Sequence, residues 1–353
     1  MKRIFLIIFI LALIVGCTKP PVQEPVDEEK KVEDYFPFLE NTKLSYEGIG
    51  NEYAEKEVYF DFIEGNRAQL RVSNPGTTVA QIYEVNEGEV RLLSSMEEMY
   101  VFYNTMERLT GGSQKADEAE NIEVLLKEPL VQGTKWSLSE GRTREITGVD
   151  VAVDTPHKDY KAIEVTTKKD GEAVYKHYYA EGVGLIKSVF ISEAFEITTT
   201  LEAVERNTSY KQAMRFYYPD FNNEEIVYVD AEIEFKTNDD LKEVIEKRFK
   251  EVPSEDVNKV IGENVKINEI IYNPEEGTVT VDFSRSLVTE MNAGIYLEGQ
   301  ILNSITNTFG GYFNVSKVYI RLDNQTYESG HVYLEIDEYL TPKLEEAKPY
   351  KKE

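Results

Sequence analysis

Apolar and polar residues alternate with period two through most of the first half of the chain. Val58, Phe60 and Phe62 alternate with Tyr59 and Asp61, and Ala68, Leu70 and Val72 follow the Glu64-Gly65-Asn66 turn. Residues 79–85 and 90–93 flank Asn86-Glu87-Gly88, 163–167 and 173–179 flank Lys169-Asp170-Gly171, and 185–191 and 195–201 flank Ser192-Glu193-Ala194. Short alternating runs separated by turn residues predict an antiparallel β-meander domain over 35–205. Residues 111–117 read as a polar loop within it.

The alternation breaks near Arg206-Asn207-Thr208-Ser209-Tyr210, where a domain boundary is expected. Strands are predicted at 214–218 and 226–235. Thr237 then reads as a helix N-cap, with Asp239 and Asp240 in the first turn and Leu241, Val244, Ile245 and Phe249 at helical spacing before Pro253. A hairpin over 265–272 and 278–283 turns at 273–277. Met291, Ile295, Ile301, Leu302, Ile305 and Phe309 repeat every 3.6 residues, and Gly310-Gly311 is expected to stop that helix. Strands at 315–322 and 331–336 complete a β-β-α-β-β-α-β order. The predicted class is α+β, the second domain (206–340) being a sandwich with two helices on one face of a small sheet. Residues 341–353 form a charged tail.

The chain opens on Met1-Lys2-Arg3, an apolar run over 4–15, and Ile14-Val15-Gly16-Cys17. A cationic start, a short apolar stretch and small residues make an export signal, and the run is short for a span of about 20 residues. The ending resembles a bacterial lipobox. That resemblance implies cleavage before Cys17, lipid on Cys17, and a protein anchored to the outer face of the cell membrane. Residues 18–34, rich in proline and charge, read as a disordered tether.

The 353 residues carry a formal charge of −26, made more negative by loss of Lys2 and Arg3. That excludes nucleic acid as a partner, since phosphate binding needs clustered Lys and Arg. Cys17 is the single cysteine, so no disulfide, Cys-based zinc site or Cys nucleophile is expected beyond it. His157, His177 and His331 are far apart and lack metal-ligand spacing.

Six stretches of the second domain resemble the GerMN domain, the sporulation and spore germination module of bacterial lipoproteins. They are Arg215-Phe216-Tyr217-Tyr218-Pro219-Asp220, Val281-Asp282-Phe283-Ser284, Asn292-Ala293-Gly294 with Glu298, Asn307-Thr308, Val315-Ser316-Lys317-Val318-Tyr319-Ile320, and Gly330-His331-Val332. The likeness covers about 212–340. Asp323-Asn324-Gln325 departs from it, standing where a glycine-containing turn is usual, so a reshaped loop is expected there. The resemblance implies a non-enzymatic envelope protein of a Gram-positive, spore-forming bacterium that assembles with other envelope proteins or with itself. The stretches Gln132-Gly133-Thr134-Lys135-Trp136 and 178–187 loosely resemble β-rich modules of other lipoproteins, with no activity implied.

Candidate chemistry is sparse. Glycosidase-like carboxylate pairs are abundant (Asp27-Glu28-Glu29, Glu97-Glu98, Glu224-Glu225, Asp239-Asp240, Glu275-Glu276), but 65 acids supply such pairs by chance and a solvated surface accounts for them. Asp220, Asn222 and Glu224 alternate as in a calcium loop, but positions six and twelve are Glu225 and Ala231, which excludes an EF-hand and leaves a loose cation site open. Ser284 lacks a nucleophile elbow and reads as a residue bonding local backbone. His331 reads as structural, with a ligand or base role the alternative. Gly48-Ile49-Gly50 supports no nucleotide site. No catalytic residue, cofactor or metal is therefore expected, and Cys17 is the one modification site. The 23 tyrosines and 16 phenylalanines suit cross-strand pairing, protein contact or glycan stacking, so peptidoglycan binding through the tyrosine-rich sheet, or less favourably wall hydrolysis, is the opposing reading.

Overall fold

The computed structural model describes residues 30–106, 122–253 and 257–351. The signal segment, Cys17, tether residues 18–29 and the 111–117 loop lie outside the described residues. Contacts divide the chain into Met1–Lys30 and a compact unit, Lys31–Glu353.

That unit begins with a short helix, α1 (Val32–Tyr35), followed by twelve strands: β1 (Thr42–Ile49), β2 (Lys56–Glu64), β3 (Arg67–Ser73), β4 (Thr78–Asn86), β5 (Glu89–Met96), β6 (Glu123–Lys127), β7 (Lys135–Ser137), β8 (Thr143–Val153), β9 (Tyr160–Lys169), β10 (Glu172–Ala180), β11 (Gly184–Ile191) and β12 (Glu196–Arg206). They form one antiparallel sheet in the order β6-β5-β4-β3-β2-β1-β12-β11-β10-β9-β8-β7. Glu87-Gly88 and Asp170-Gly171 take the left-handed conformations that two-residue hairpins need. The sheet curls until its edges meet. Trp136 Nε1 on β7 and Arg144 Nη1 on β8 both donate to Val124 O on β6, at 2.9 and 2.6 Å. Side chains thus occupy an edge whose backbone would otherwise stand open.

Helix α1 overturns the end of the expected tether. Val32 and Tyr35 are buried, Val32 N donates to Glu128 Oε1 at 3.0 Å, and Gly182 N donates to Asp34 O at 2.8 Å. Apolar anchors at both ends of a charged dipeptide outweigh the polar composition read from the sequence.

The rest of the chain contains β13 (Tyr210–Asp220), β14 (Glu225–Phe235), α2 (Leu241–Lys250), β15 (Ile267–Asn273), β16 (Thr278–Phe283), α3 (Ser286–Met291), α4 (Ile295–Phe313), β17 (Lys317–Leu322), β18 (Gln325–Glu328), β19 (Tyr333–Leu334) and β20 (Lys348–Pro349). Among the described residues these strands make two sheets, β13-β14-β20 and β15-β16-β17-β18-β19, where one was expected. β16 and β17 are parallel, with α4 in the connection between them. Taken whole, the protein is mostly β with few helices, more β than the predicted α+β class.

Three local expectations change. The N-cap of α2 is Asp240, whose side chain accepts from Lys242 N; Thr237 instead ties this segment to the large sheet. Its Oγ1 donates to Phe60 O (2.7 Å) and accepts from Asn41 N (2.8 Å). Helix α4 runs through Gly310-Gly311 and ends at Asn314 in the left-handed region. Those glycines serve close approach, since a Cβ at Gly310 would collide with the Pro342 ring. Finally, 341–351 is docked: Asn307 Oδ1 accepts from Lys343 N at 2.7 Å, and β20 pairs in parallel with β14.

One apolar core runs across the sequence position expected to separate domains. It joins Phe62, Ala80, Ile82 and Phe102 to Phe216, Phe235, Phe249, Phe283 and Phe309. A second core lines the inside of the curled sheet with Leu44, Val58, Phe60 and Leu70. Strand β2 is therefore covered on both faces, and Tyr59 and Asp61, which the alternation puts towards solvent, are buried.

Candidate functional site

The family-like stretches converge on α4 and the two smaller sheets, and several of their polar groups are engaged internally. Arg215 makes a bidentate pair with Asp230 (2.7 and 3.0 Å) and lies 3.8 Å over the Tyr228 ring. That pairing holds the Asp230 carboxyl below its usual range. Tyr217 N donates to Thr308 Oγ1 at 3.1 Å, joining β13 to α4. Asp282, buried at the end of β16, accepts from Asn324 N (2.7 Å) and Asn268 Nδ2 (2.8 Å). Asp323 and Asn324 both have positive φ, so they make the turn that glycine would otherwise provide, and the β17–β18 hairpin closes. Asn292 caps α3 in the left-handed region. Glu298, buried on α4, accepts from the Tyr327 hydroxyl at 2.7 Å; burial, then this carboxylate, push that phenol upward.

The weighed candidates fall into structural roles. Ser284 Oγ accepts from Lys266 N at 2.9 Å, as expected for a residue serving local backbone. Asp220 accepts from Asn222 N and Asn223 N (3.0 Å each) and from Asn223 Nδ2 (2.8 Å), so its lone pairs close the β13–β14 turn. Asp239 accepts from Lys236 N at 2.7 Å. Glu225 pairs with Lys348. His331 is exposed, its N–H donating to Ser329 Oγ at 3.0 Å. His157 Nδ1 lies 2.7 Å from the Tyr160 hydroxyl. Among the described residues no group of three or more His, Cys, Asp or Glu is arranged to hold a metal ion. No described helix is long and apolar enough to cross a membrane. Cys17 lies outside the described residues.

Tyr46, Tyr59 and Tyr179 are buried, while Tyr53, Tyr100 and Tyr175 are exposed. A cleft of about 820 Å³ opens where the large sheet meets β15, lined by Phe62, Tyr103, Tyr272 and the asparagines 104, 238, 268, 273 and 324. Several of its amides are spent, since Asn238 makes a two-way pairing with Ile63 backbone and Asn104 Nδ2 donates to Glu64.

Two groups escaped the sequence reading. Inside the curled sheet a cavity of about 70 Å³ is walled by residues of β1–β4 and closed by Phe36, Pro37 and residues 183–185. Lys56 reaches into it, and burial pulls its ammonium down to about 8. Nearby His177 stacks between Tyr175 and Tyr179, with Nδ1 buried and unbonded among the described residues. Burial, then the charges of Arg144 and Lys56, pull His177 down to about 3. The signal was parity: Lys56 shares a strand face with Val58 and Phe60, as His177 does with Tyr175 and Tyr179.

Residues 215–328 match the Germane family, described as sporulation and spore germination. No curated protein matches the chain. Among solved structures it is similar to the tandem GerMN domains of the sporulation protein GerM from Bacillus subtilis, with 20% identity, a TM-score of 0.29 and 39% of this chain covered. The chain spans 47% of that structure's length. It is also similar to a Bacteroides fragilis protein described as exported, with a YmcC-like fold (10% identity, TM-score 0.29, covering 49% of this chain and 99% of that one). A protein described as a lipoprotein from Parabacteroides distasonis gives 16% identity, a TM-score of 0.29, and 48% and 98% coverage.

Proposed function

We propose that this chain, which carries a Germane domain over residues 215–328, is a lipid-anchored extracytoplasmic envelope protein linked to sporulation or germination. Cys17 is its lipidation site, and the Germane domain mediates assembly with other envelope proteins or a second copy. The protein is non-enzymatic in this reading, with no cofactor. One observation carries it: Asp220, Asp282, Ser284 and Asn307 are spent on backbone or neighbouring side chains of the same fold. Groups consumed in building a scaffold are not available to a reaction. The sequence division into 35–205 and 206–340 is retained as a proposal for two modules sharing one core.

Glycan binding is the second reading. It is favoured by the cleft beside β15, where Tyr103 and Tyr272 rings accompany side-chain amides.

The test is crosslinking of the full-length protein in its own membrane, with Cys17→Ala as control. Crosslinks between residues 215–328 and a discrete protein, or a second copy, support assembly. Recovery of wall fragments without a protein partner overturns it in favour of glycan binding. Membrane release of the Cys17→Ala protein supports the anchor, and unchanged membrane retention overturns it.

A further inference from the structure

The cavity inside the curled sheet is apolar on most sides, with Leu44, Val58, Phe60 and Leu70 among its walls. Lys56 is the one charged side chain lining it. Its ammonium lies 5.0 Å from the Tyr46 ring centroid, and among the described residues no carboxylate stands within ion-pair distance. Lys43, Lys168, Lys176 and Lys250 have carboxylate partners, whereas Lys56, like Lys158 and Lys317, lies over a tyrosine ring; what sets Lys56 apart is that it lines this cavity. Lys56 is half-buried, and one cation–π contact offsets only part of the cost of desolvating its ammonium. The site is therefore short of one negative charge.

The other polar groups facing the cavity sharpen its preference. Tyr46 donates its hydroxyl to Leu185 O at 2.8 Å, and Tyr83 donates to Gln81 Oε1 at 2.7 Å. Gln81 also lines the cavity, and with its oxygen engaged its amide N–H groups have no hydrogen-bond partner among the described residues. An ammonium and an amide donor beside hydrocarbon suit an anion with an apolar body. A volume of about 70 Å³ corresponds to a few water-sized positions at ~10–15 Å³ each, enough for a carboxylate and a few carbons.

We propose that this cavity binds a small organic monocarboxylate, its carboxylate between Lys56 and Gln81 and its hydrocarbon body against Leu44, Val58, Phe60 and Leu70. The pairing neutralises the lysine while excluding dianions, for which no second cation is present in the lining.

The probe is butyrate, titrated calorimetrically into the full chain at millimolar concentration, with n-butylamine and n-butanol as charge-reversed and neutral controls. Saturable butyrate binding is expected, with no binding of butylamine. Lys56→Met should weaken butyrate about ten- to hundredfold, the range for a hydrogen bond to a charged group. Absence of butyrate binding, equal binding of all three probes, or unchanged affinity in Lys56→Met overturns the proposal. If Lys56→Met does not fold, Gln81→Leu carries the test: a several-fold loss supports the site, and unchanged affinity overturns it.

Discussion

Asp61 and Arg71 form a buried bidentate ion pair across β2 and β3, Nη2 to Oδ2 at 2.7 Å and Nε to Oδ1 at 3.2 Å. The ladder shifts between Phe60 and Phe62, and this bulge turns both Asp61 and Phe62 towards the outer core. Arg71 also donates to Met99 O and Val101 O at 2.9 and 2.8 Å, and lies 4.5 Å over the Tyr210 ring. One guanidinium thus fixes a loop of the large sheet and touches the first strand of the Germane-bearing half.

Removing one partner leaves a buried charge alone. Asp61→Ala should cost about 3–5 kcal/mol, read as a lower urea midpoint. The double variant Asp61→Leu/Arg71→Met should recover much of that loss. A double variant as unstable as Asp61→Ala would mean that the carbonyl contacts of Arg71, not the pair, dominate.

Thr237 should behave as a joint and not as a helix cap. Thr237→Val leaves Asn41 N without its acceptor and Phe60 O without a donor, at a cost of about 1–3 kcal/mol. Helicity of α2, followed by amide exchange at 241–250, should stay unchanged because Asp240 caps it. Faster exchange confined to that helix would contradict this assignment.

Gly310→Ala should loosen the docked C-terminal segment, because the added methyl meets Pro342. A loss of about 1–3 kcal/mol is expected for such overpacking, with earlier proteolysis within 341–351. Combining it with Pro342→Ala should restore resistance; failure to do so would place the strain elsewhere.

His177 makes stability fall in acid. Its folded value is about 3 against an ordinary 6.5, so the unfolded chain takes the proton first as pH drops. This contribution is intact above about pH 6.5 and declines progressively down to about 3. His177→Phe should flatten the urea-midpoint profile across that window, and an unchanged slope would remove His177 as the cause.

Lys56 works in the alkaline range. Its folded value of about 8 lies below the ordinary 10.5, so the cost of its desolvated charge is fully present below pH 8. Stability should rise between pH 8 and 10.5, as the native state releases its proton before the unfolded chain does. Lys56→Met should abolish that rise and be the more stable protein at pH 7.

Local chemistry decided what the sequence could determine alone. Alternation in β2–β5 and β9–β12, the turns at Glu87-Gly88 and Asp170-Gly171, and the 3.6-residue repeat of α4 depend on neighbours a few positions away, so they were legible. The Germane likeness was legible for the same reason, as ordered short stretches. Long-range packing decided the remainder. Asp61 looked like an ordinary strand polar residue until β2 was covered on both faces. Gly310-Gly311 looked like a stop until Pro342 was found against α4. Thr237 looked like a cap until Asn41 and Phe60, nearly two hundred residues away, arrived beside it. A turn or helix period is set by bonds along the chain, whereas burial of a charge depends on which distant surface covers it.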